Sequence, residues 1–445
     1  MKKLKGRRVL VFGLGKSGLS AINLLKSQGA DVVGYDEKPY AEIKNIPPKI
    51  CLLEENLILE DKLEKYDLVV VSPGIPPHNK LIESLALKKF PIISELELGL
   101  SLLPEGVRIV AVTGTNGKTT TSELISFLTG GQTAGNIGRP LTGVLGSLSK
   151  EDILVLEVSS FQLHFSPGLK PDVGVLLNLF PEHTDWHRGY LNYRKSKFSF
   201  FKRMIEASHV VYNASSPEID SFVKKLKPIK IPFSSEIKLE DGIFTENNQV
   251  ILRLKGEEKK YLHDKEVLPG KHNLENLMAA LGAAAALGVK ELPLLDDFRL
   301  SPHRMEYFSY GGLTFINDSK ATNFNSTFRA LESIDESLIL LMGGKSKGES
   351  EPRLRGEAAK KARCVIAFGE SRKEIEEIFS GALPVKVFIS LREAVEEAVR
   401  LASKDTKILL SPGGSSYDEF EDYEVRGNKF KEWAEEFTTK AINRA

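Results

Sequence analysis

Short apolar runs alternate with helix-length segments along most of the chain. Near the N-terminus the runs RRVLVF (7–12), DVVGY (31–35) and LVVVS (68–72) are β-rich and are separated by stretches long enough for a helix. This alternation predicts a small βαβ unit with a parallel sheet. A proline and an acidic segment at 91–99 indicate that the unit closes near residue 93.

A second alternating region begins at VRIVAVTGTNGKTT, which reads as strand, glycine loop and helix. The apolar runs at 152–160 and 172–179 predict buried strands with polar residues at their C-terminal ends, where α/β sheets bind ligands. Residues 213–268 are more polar and contain turn clusters, so we expect them to form a peripheral excursion. The alanine-rich segment at 271–289 predicts a helix.

Beyond residue 300 strand-like runs again alternate with helical stretches, which is typical of a doubly wound sheet. A chain of 445 residues is also long enough for about three domains. We therefore predict an α/β protein of three domains: a Rossmann-like domain at 1–93, a P-loop ATPase-like domain at 94–299 and a Rossmann-like doubly wound domain at 300–445.

The composition narrows the function classes. Lys plus Arg number 61 against 60 Asp plus Glu, a net charge of +1, so no whole-chain attraction to nucleic acid or to an anionic membrane is expected. The longest apolar runs are too short to span a bilayer, and the N-terminal run enters a glycine turn rather than a signal-peptide cleavage site. Cys51 and Cys364 have no metal-ligand or disulfide spacing. These features predict a cytoplasmic protein, and we expect it to be a monomer.

The segment VTGTNGKTTT predicts a phosphate-binding loop. Gly114 and Gly117 would let backbone N–H groups turn toward phosphate oxygens at the start of a helix. Lys118 would bridge the β- and γ-phosphates of a nucleotide, and the Thr119 hydroxyl would complete a magnesium shell. The general P-loop has glycine where this chain has Val112, so a tight strand–helix turn without phosphate is the alternative.

A second glycine-rich turn, GLGKSG, lies at 13–18, and Asp36 follows the next predicted strand. This is the fingerprint of a dinucleotide-binding βα turn, in which the acid binds a ribose. No hydride-transfer arrangement is evident further along the chain. The turn indicates only that a diphosphate binds at a helix N-terminus, and a nucleotide-sugar diphosphate fits it equally well.

Polar residues at other strand ends are candidates for the remaining chemistry. Glu157 and His183 follow successive predicted strands and could meet around a hard cation; otherwise Glu157 caps a turn and His183 is an ordinary loop histidine. In the third region Asp318, Lys320 and Thr322 (with Lys347 further on) could serve a phosphate, a ribose or a carboxylate. The loop at 411–427 leads into a helix and could bind an anion.

The chain resembles the Mur ligases over essentially its whole length. The segments that carry this resemblance occur in the family's order: GLGKSG, SPGIPP, VTGTNGKTT, GNIG, EVSSFQL, NLFPEHTDWH, KHNLEN, PHR, NDSKATN and SPGGSSYDEF. The form TGTNGKTT is shared with folylpolyglutamate synthases, whereas the GLGKSG domain followed by SPGI is typical of the members that add D-glutamate.

The resemblance implies an ATP-dependent amide ligase that joins D-glutamate to UDP-N-acetylmuramoyl-L-alanine through an acyl phosphate, a cytoplasmic step of peptidoglycan precursor synthesis. It implies ATP and two Mg²⁺ ions as cofactors. The residues implied for ATP are Gly114, Thr115, Asn116, Gly117, Lys118, Thr119, Thr120, Asn276, Arg304, Asp318 and Lys320. Those implied for the metals are Thr119, Glu157, His183 and Lys197, and the catalytic set is Lys118, His183 and Lys197.

Lys197, four residues after Tyr193, matches the family's carbamylated lysine, whose added carboxylate would attract the metals that a bare ammonium repels. The positions implied for the UDP substrate are Gly15, Lys16, Ser17, Asp36, Gly74, Asn136, Ser159 and Gln162. Those implied for D-glutamate are Thr322, Lys347, Ser416 and Tyr423. Position 423 is often Phe in the family, so the shape of that pocket stays open.

Several alternatives compete with this interpretation. A folate polyglutamylating synthase would lack the N-terminal glycine-turn domain, and the D-N-P-[RK] motif of the lysine- or diaminopimelate-adding Mur enzymes is absent from this sequence. A nicotinamide oxidoreductase fused to a P-loop module would leave GNIG, SSFQL and NDSKATN without purpose. A non-catalytic nucleotide-binding scaffold would not need Lys118, Glu157, His183 and Lys197 together.

Overall fold

The computed structural model describes residues 4–38, 51–52, 65–136, 138–247, 249–262, 268, 270–299, 301–346 and 351–442. Within these residues the strands form three sheets that follow one another along the chain, and helices connect most of the strands. The α/β class predicted from the alternation of apolar runs and helical stretches is confirmed.

The first sheet has the strand order β3-β2-β1-β4-β5, with all neighbours parallel. Its strands are β1 (Arg8–Phe12), β2 (Asp31–Tyr35), β3 (Cys51–Leu52), β4 (Leu68–Val71) and β5 (Ile92–Ser94). Its helices are α1 (Lys16–Ser27), α2 (Lys80–Leu87) and α3 (Glu95–Leu100). Alternate residues of β1 belong to different apolar clusters, Leu10 to one and Val9 to the other, because successive side chains point to opposite faces of a sheet. Both faces are therefore covered.

The central sheet has the order β14-β13-β12-β11-β10-β9-β6-β8-β7. Its strands are β6 (Arg108–Thr113), β7 (Gln132–Gly135), β8 (Ile153–Glu157), β9 (Val173–Leu176), β10 (His209–Asn213), β11 (Ile229–Ser234), β12 (Gly242–Glu246), β13 (Gln249–Leu254) and β14 (Glu257–Leu262). Its helices are α4 (Lys118–Thr129), α5 (Ser160–His164), α6 (Thr184–His187), α7 (Tyr190–Phe198), α8 (Pro217–Val223) and α9 (Lys271–Ala286).

The expectation of a peripheral excursion at 213–268 is wrong. β11 and β12 continue the parallel ladder from β10, and β13 and β14 add two antiparallel strands at the edge. An antiparallel edge strand needs only one buried face, so the sequence of β14, EEKKYL, looks too polar for a strand when it is read alone.

The third sheet has the order β15-β16-β20-β17-β18-β19, parallel except for the β15–β16 hairpin. Its strands are β15 (Glu306–Tyr310), β16 (Leu313–Asn317), β17 (Leu338–Gly343), β18 (Ala362–Phe368), β19 (Val385–Val387) and β20 (Lys407–Gly413). Its helices are α10 (Phe324–Glu332), α11 (Leu354–Lys361), α12 (Arg372–Phe379), α13 (Leu391–Leu401) and α14 (Tyr423–Ile442). β20 is inserted between β16 and β17, so the loops after these three strands leave the same edge of the sheet.

The chain divides into two compact units. One comprises residues 1–262 and 275–294 and contains the first and central sheets; the other comprises 263–274 and 295–445 and contains the third sheet. The domain boundaries at 93/94 and 299/300 stay predictions. In the part of the chain that the structure describes, no helix is long and apolar enough to cross a membrane.

Candidate active site

The loop between β6 and α4 has the backbone that the sequence predicts. Gly117 caps α4 with φ +83°, and a Cβ added there would lie 2.3 Å from Oδ1 of Asn276. A Cβ on Gly114 would lie 2.9 Å from Cβ of Leu177. Both positions thus require glycine, and the first amides of α4 have no acceptors within the helix. The loop presents a helix N-terminus of the kind that binds phosphate.

A residue that the motif did not reveal supports this loop. The side chain of Asn178, which follows β9, accepts hydrogen bonds at Oδ1 from the N–H groups of Thr115 (3.1 Å) and Asn116 (2.8 Å). Its Nδ2 donates to the Asn116 carbonyl at 3.1 Å. β9 neighbours β6 in the sheet, so the adjacent strand end holds the glycine loop in shape.

The carboxylate of Glu157, at the end of β8, joins two predicted site residues. Its Oε2 accepts from the Thr119 hydroxyl at 2.7 Å, and its Oε1 accepts from Nδ2 of Asn136 at 2.7 Å. The residue is 2% exposed. Glu157 and Thr119 were predicted as metal ligands and Asn136 as a substrate contact, and the structure brings all three together.

Two lysine amines converge on one carbonyl oxygen. Nζ of Lys118 donates to the Gly114 carbonyl at 3.1 Å and to the Thr115 carbonyl at 2.6 Å, and Nζ of Lys197 donates to the Gly114 carbonyl at 2.6 Å. Lys197 is 2% exposed and lies 4.8 Å from the ring centroid of Tyr193. Tyr193 in turn shares a 2.7 Å hydrogen bond with the Thr115 hydroxyl, which ties α7 to the P-loop.

Burial lowers the pKa of Lys197 well below its ordinary value, and the charge of Lys118 lowers it further. Glu182 and Glu157 act in the opposite direction. A buried amine next to another cation favours the neutral form, because the charged form loses its hydration and is repelled. The neutral amine of Lys197 is therefore more accessible than that of an exposed lysine.

His183 caps α6 in the left-handed region, at φ +53°. Its Nε2 lies 3.6 Å from Oε1 of Glu182, and its ring centroid is 4.6 Å from that of Phe161. Glu182 was not singled out from the sequence, although it precedes His183 directly. Among the residues that the structure describes, no three His, Cys, Asp or Glu side chains form a group that could hold a metal. Glu157 contacts Thr119, and His183 contacts Glu182.

Ser159 and Gln162 contact each other in a reciprocal cap at the start of α5. The Ser159 hydroxyl accepts from the Gln162 N–H at 3.3 Å, and Oε1 of Gln162 accepts from the Ser159 N–H at 3.0 Å. This is a capping box that satisfies two helix-terminal donors. Asn276, predicted on the adenine side, is 4% exposed and accepts at Oδ1 from the Thr121 hydroxyl of α4 at 3.2 Å.

The first glycine turn is shaped by Asp36. Its two carboxylate oxygens accept from the N–H groups of Leu14 (2.6 Å) and Lys38 (2.9 Å). Gly13 has φ +90°, and a Cβ on Gly18 would lie 1.9 Å from the Gly13 carbonyl oxygen. Asp36 therefore builds the turn, which sequence reasoning had not included among its roles.

Other predicted contacts of this region lie around the turn. Gly15 caps α1, and added Cβ atoms on Gly15 and Gly74 would meet nothing within 4 Å, so a ligand can approach both backbones. Lys16 is exposed and Ser17 is half-buried. These positions follow β1 and β4, which are neighbours in the sheet.

The second unit places its predicted residues after β16 and β20. Asp318 is 9% exposed and accepts from the Ser411 hydroxyl at 2.9 Å, and burial raises the pKa of its carboxyl to about 7. Nζ of Lys320 lies 4.8 Å from the ring centroid of Tyr423. Thr322 and Ser416 lie on two neighbouring loops. A 2.9 Å hydrogen bond from the Gly413 N–H to the Ala321 carbonyl connects these loops.

The charge of Arg304 lowers the pKa of the Asp318 carboxyl, in the direction opposite to burial. Arg304 is half-buried and its Nε is buried. Lys347 lies outside the described residues.

The three sheets and the strand–loop–helix around Lys118 define an α/β protein of the P-loop type. Residues 7–94 match the Mur ligase MurD-like N-terminal domain, residues 112–284 the Mur ligase middle domain and residues 303–414 the Mur ligase glutamate ligase domain. The chain belongs to the Mur ligase family. The glycine turn at 13–18 is thus part of a Mur ligase domain, and the oxidoreductase alternative is not supported.

Relatives and solved structures agree with this membership. Proteins named UDP-N-acetylmuramoylalanine--D-glutamate ligase are 35% identical in Caldicellulosiruptor bescii, covering 99% of this chain and 100% of the relative, and 35% identical in Chlorobium phaeobacteroides, covering 97% and 98%. The fold is similar to that of MurF ligase from Thermotoga maritima in complex with ADP, with TM-score 0.62, 18% identity and coverage of 99% and 100%. It is also similar to UDP-N-acetylmuramate-alanine ligase MurC from the same organism, with TM-score 0.59, 19% identity and coverage of 96% and 98%.

Proposed function

We propose that this chain is an ATP-dependent ligase that forms the amide bond between UDP-N-acetylmuramoyl-L-alanine and D-glutamate, a step of peptidoglycan precursor synthesis. The observation that carries the proposal is 35% identity over 99% of the chain to a relative of that name. The N-terminal match to the MurD-like domain supports the same choice within the family.

The reaction has two chemical steps. The terminal carboxylate of the UDP substrate attacks the γ-phosphorus of ATP, which forms an acyl phosphate and releases ADP. The amine of D-glutamate then attacks the acyl carbon; inorganic phosphate leaves, and the amine loses a proton as the amide forms. Lys118 and the first turn of α4 are suited to hold the phosphates, because positioning and charge neutralisation supply most of the catalysis in phosphoryl transfer.

Magnesium fits the oxygen donors next to this loop. Thr119 and Glu157 place two hard oxygen ligands 2.7 Å apart, and Mg²⁺ prefers oxygen ligands beside nucleotide phosphates. When bound, Mg²⁺ would neutralise charge on the transferring phosphate. His183 is proposed as a ligand of a second ion.

Carbamylation of Lys197 fits the environment of its amine. A neutral amine adds to carbon dioxide and loses a proton to give a carbamate, and burial beside Lys118 favours that neutral form. The resulting carboxylate would turn a cationic side chain into an anionic oxygen ligand.

The UDP substrate is assigned to the first glycine turn and to the end of β8. Lys16 and Ser17 at the start of α1, with Gly15 and Gly74, are proposed to hold the diphosphate and uridine, and Asp36 shapes the turn. Asn136, Ser159 and Gln162 are proposed to orient the muramoyl portion. The assignments of Arg304, Asp318, Lys320 and Asn276 to ATP stay predictions.

D-glutamate is assigned to the second unit, at Thr322, Ser416 and Tyr423, together with Lys347. The matched glutamate ligase domain at 303–414 includes Thr322 and Lys347 and supports the assignment of the acceptor to this unit. Because both nucleotide substrates are cytoplasmic metabolites, we place the enzyme in the cytoplasm, and we propose that it acts as a monomer.

Phosphate release measured with purified protein, ATP, Mg²⁺ and bicarbonate tests the proposal. Release that requires both UDP-N-acetylmuramoyl-L-alanine and D-glutamate, with L-glutamate inactive, is expected. Release with a different amino acid would keep the ligase chemistry and overturn the acceptor assignment. No release with any amino acid would overturn the proposed function. Analysis of the product by mass spectrometry separates ligation from simple ATP hydrolysis.

A further inference from the structure

The largest fully buried side chain among the described residues belongs to Arg426, in the first turn of α14. A cation is unfavourable at this end of a helix, since the N-terminal end of the macrodipole is positive. Burial also removes the hydration of the guanidinium and lowers its pKa to about 10, so the group still carries its charge at neutral pH. The helix dipole and the loss of hydration both disfavour a charged side chain here, so other contacts must offset them.

The guanidinium of Arg426 joins two loops that leave the third sheet. Its Nε donates to the Ser319 hydroxyl at 3.0 Å and its Nη2 to the Ser319 carbonyl at 2.8 Å, while Nη1 donates to the Gly414 carbonyl at 3.1 Å. The Ser319 hydroxyl in turn donates to the Tyr423 carbonyl at 2.8 Å. The loop after β16, the loop after β20 and the start of α14 are therefore held by one side chain.

A third loop closes over the same group. A Cβ on Gly344, which follows β17, would lie 2.9 Å from Nη1 of Arg426. The next residue, Lys345, exchanges backbone hydrogen bonds of 2.8 and 3.0 Å with Ser415. The loops after β16, β17 and β20 thus meet around the guanidinium, and they carry Thr322 and Ser416.

We propose that Arg426 is a positioning residue for the acceptor amino acid: its guanidinium sets the spacing of the loops that bear Thr322 and Ser416 without touching the ligand. The inference rests on the proposed function, because it takes these loops as the D-glutamate site. A planar fork with several donors in fixed directions holds its acceptors on two loops at a defined spacing, whereas the three donors of a lysine ammonium rotate freely and converge on a single nitrogen. A carbonyl left without its donor would also be buried, so the loops would shift to find new partners.

Steady-state kinetics of Arg426→Lys, Arg426→Met and Ser319→Ala test the inference. The KM for D-glutamate is expected to rise at least tenfold in the Arg426 variants and less in Ser319→Ala, which removes one acceptor of the guanidinium. The KM for the UDP substrate, assigned to the other unit, is expected to stay within twofold. If Arg426→Met does not fold, the lysine and Ser319 variants still carry the test.

The matched control is Val395→Ala, a fully buried position of α13 in the apolar cluster on one face of the third sheet. It should lower the melting temperature without raising the KM for D-glutamate. An unchanged KM in Arg426→Lys and Ser319→Ala would overturn the inference, and so would an equal rise in Val395→Ala. If the proposed function is wrong, the wild-type protein itself will not use D-glutamate. The KM values of the variants are then compared for the amino acid that the wild type does use.

Discussion

The side-chain nitrogens of Lys197 and Lys118 share one acceptor, the carbonyl oxygen of Gly114, at 2.6 and 3.1 Å. Two ammonium ions so close together would repel each other strongly in a buried site. The arrangement is compatible with Lys197 in its neutral form, in agreement with the direction of its pKa shift. The shared carbonyl thus links the P-loop to a buried lysine of α7.

Replacing Lys197 by Met should abolish ligation while leaving the fold intact. The change removes one hydrogen bond to the Gly114 carbonyl and keeps an unbranched apolar side chain in the buried site, so the melting temperature should change little. Phosphate release should fall at least 100-fold, because the proposed metal ligand is lost. In protein equilibrated with ¹³C-bicarbonate, a carbamate carbonyl signal should appear by NMR in the wild type and be missing from the variant. Lys195→Met, at an exposed position two residues away, is the control and should keep both activity and signal. A signal that persists in Lys197→Met would place the modification elsewhere.

Gly117→Ala should be far more damaging than Gly130→Ala. Both glycines have positive φ, +83° and +70°, and each alanine should pay roughly 1–2 kcal/mol for that backbone conformation. At Gly117 the added Cβ also collides with Asn276, whereas at Gly130 it meets nothing within 4 Å. Gly117→Ala should therefore raise the KM for ATP at least tenfold, while Gly130→Ala lowers stability only. Equal kinetic effects would show that the contact with Asn276 does not matter.

Asp36→Asn should weaken binding of the UDP substrate and leave the KM for ATP unchanged. The new amide would point N–H groups at the backbone N–H of Leu14 or of Lys38, each of which now donates to the carboxylate. Facing donors should cost about 1–3 kcal/mol and distort the glycine turn. Isothermal titration with the UDP substrate measures the effect. Asp31→Asn changes an exposed acid at the start of β2, the strand that Asp36 follows, and should bind normally. A matching loss of affinity there would argue against a role of the turn.

The stability of the protein should fall as pH rises from about 4 to about 7, in part because of Asp318. Burial raises the pKa of its carboxyl from 3.8 to about 7, so over this range the folded state binds a proton that the unfolded state has released. The contribution is fully present below pH 4 and is lost as the pH passes 7. Urea unfolding at several pH values should show a shallower decline for Asp318→Asn. The exposed Asp405→Asn should follow the wild type, and an unchanged profile in Asp318→Asn would refute the assignment.

Local sequence patterns predicted the helices, strands and turns whose conformation depends on residues nearby in the sequence. The strand, glycine loop and helix around Lys118 were read from apolar periodicity and from glycines that the structure places in left-handed or crowded backbone. The polar strand β14 was missed, because the ladder partner that makes it a strand, β13, comes from tertiary pairing rather than from its own composition.

The sequence by itself determined the α/β class, the P-loop and the candidate residues at the strand ends. Only the tertiary structure decided what those residues contact. Asn178 supports a loop 62 residues earlier in the chain, and Arg426 bonds a serine 107 residues away. These contacts depend on the order of the strands in each sheet and on the desolvation of charged groups. The local periodicity of the chain predicts neither.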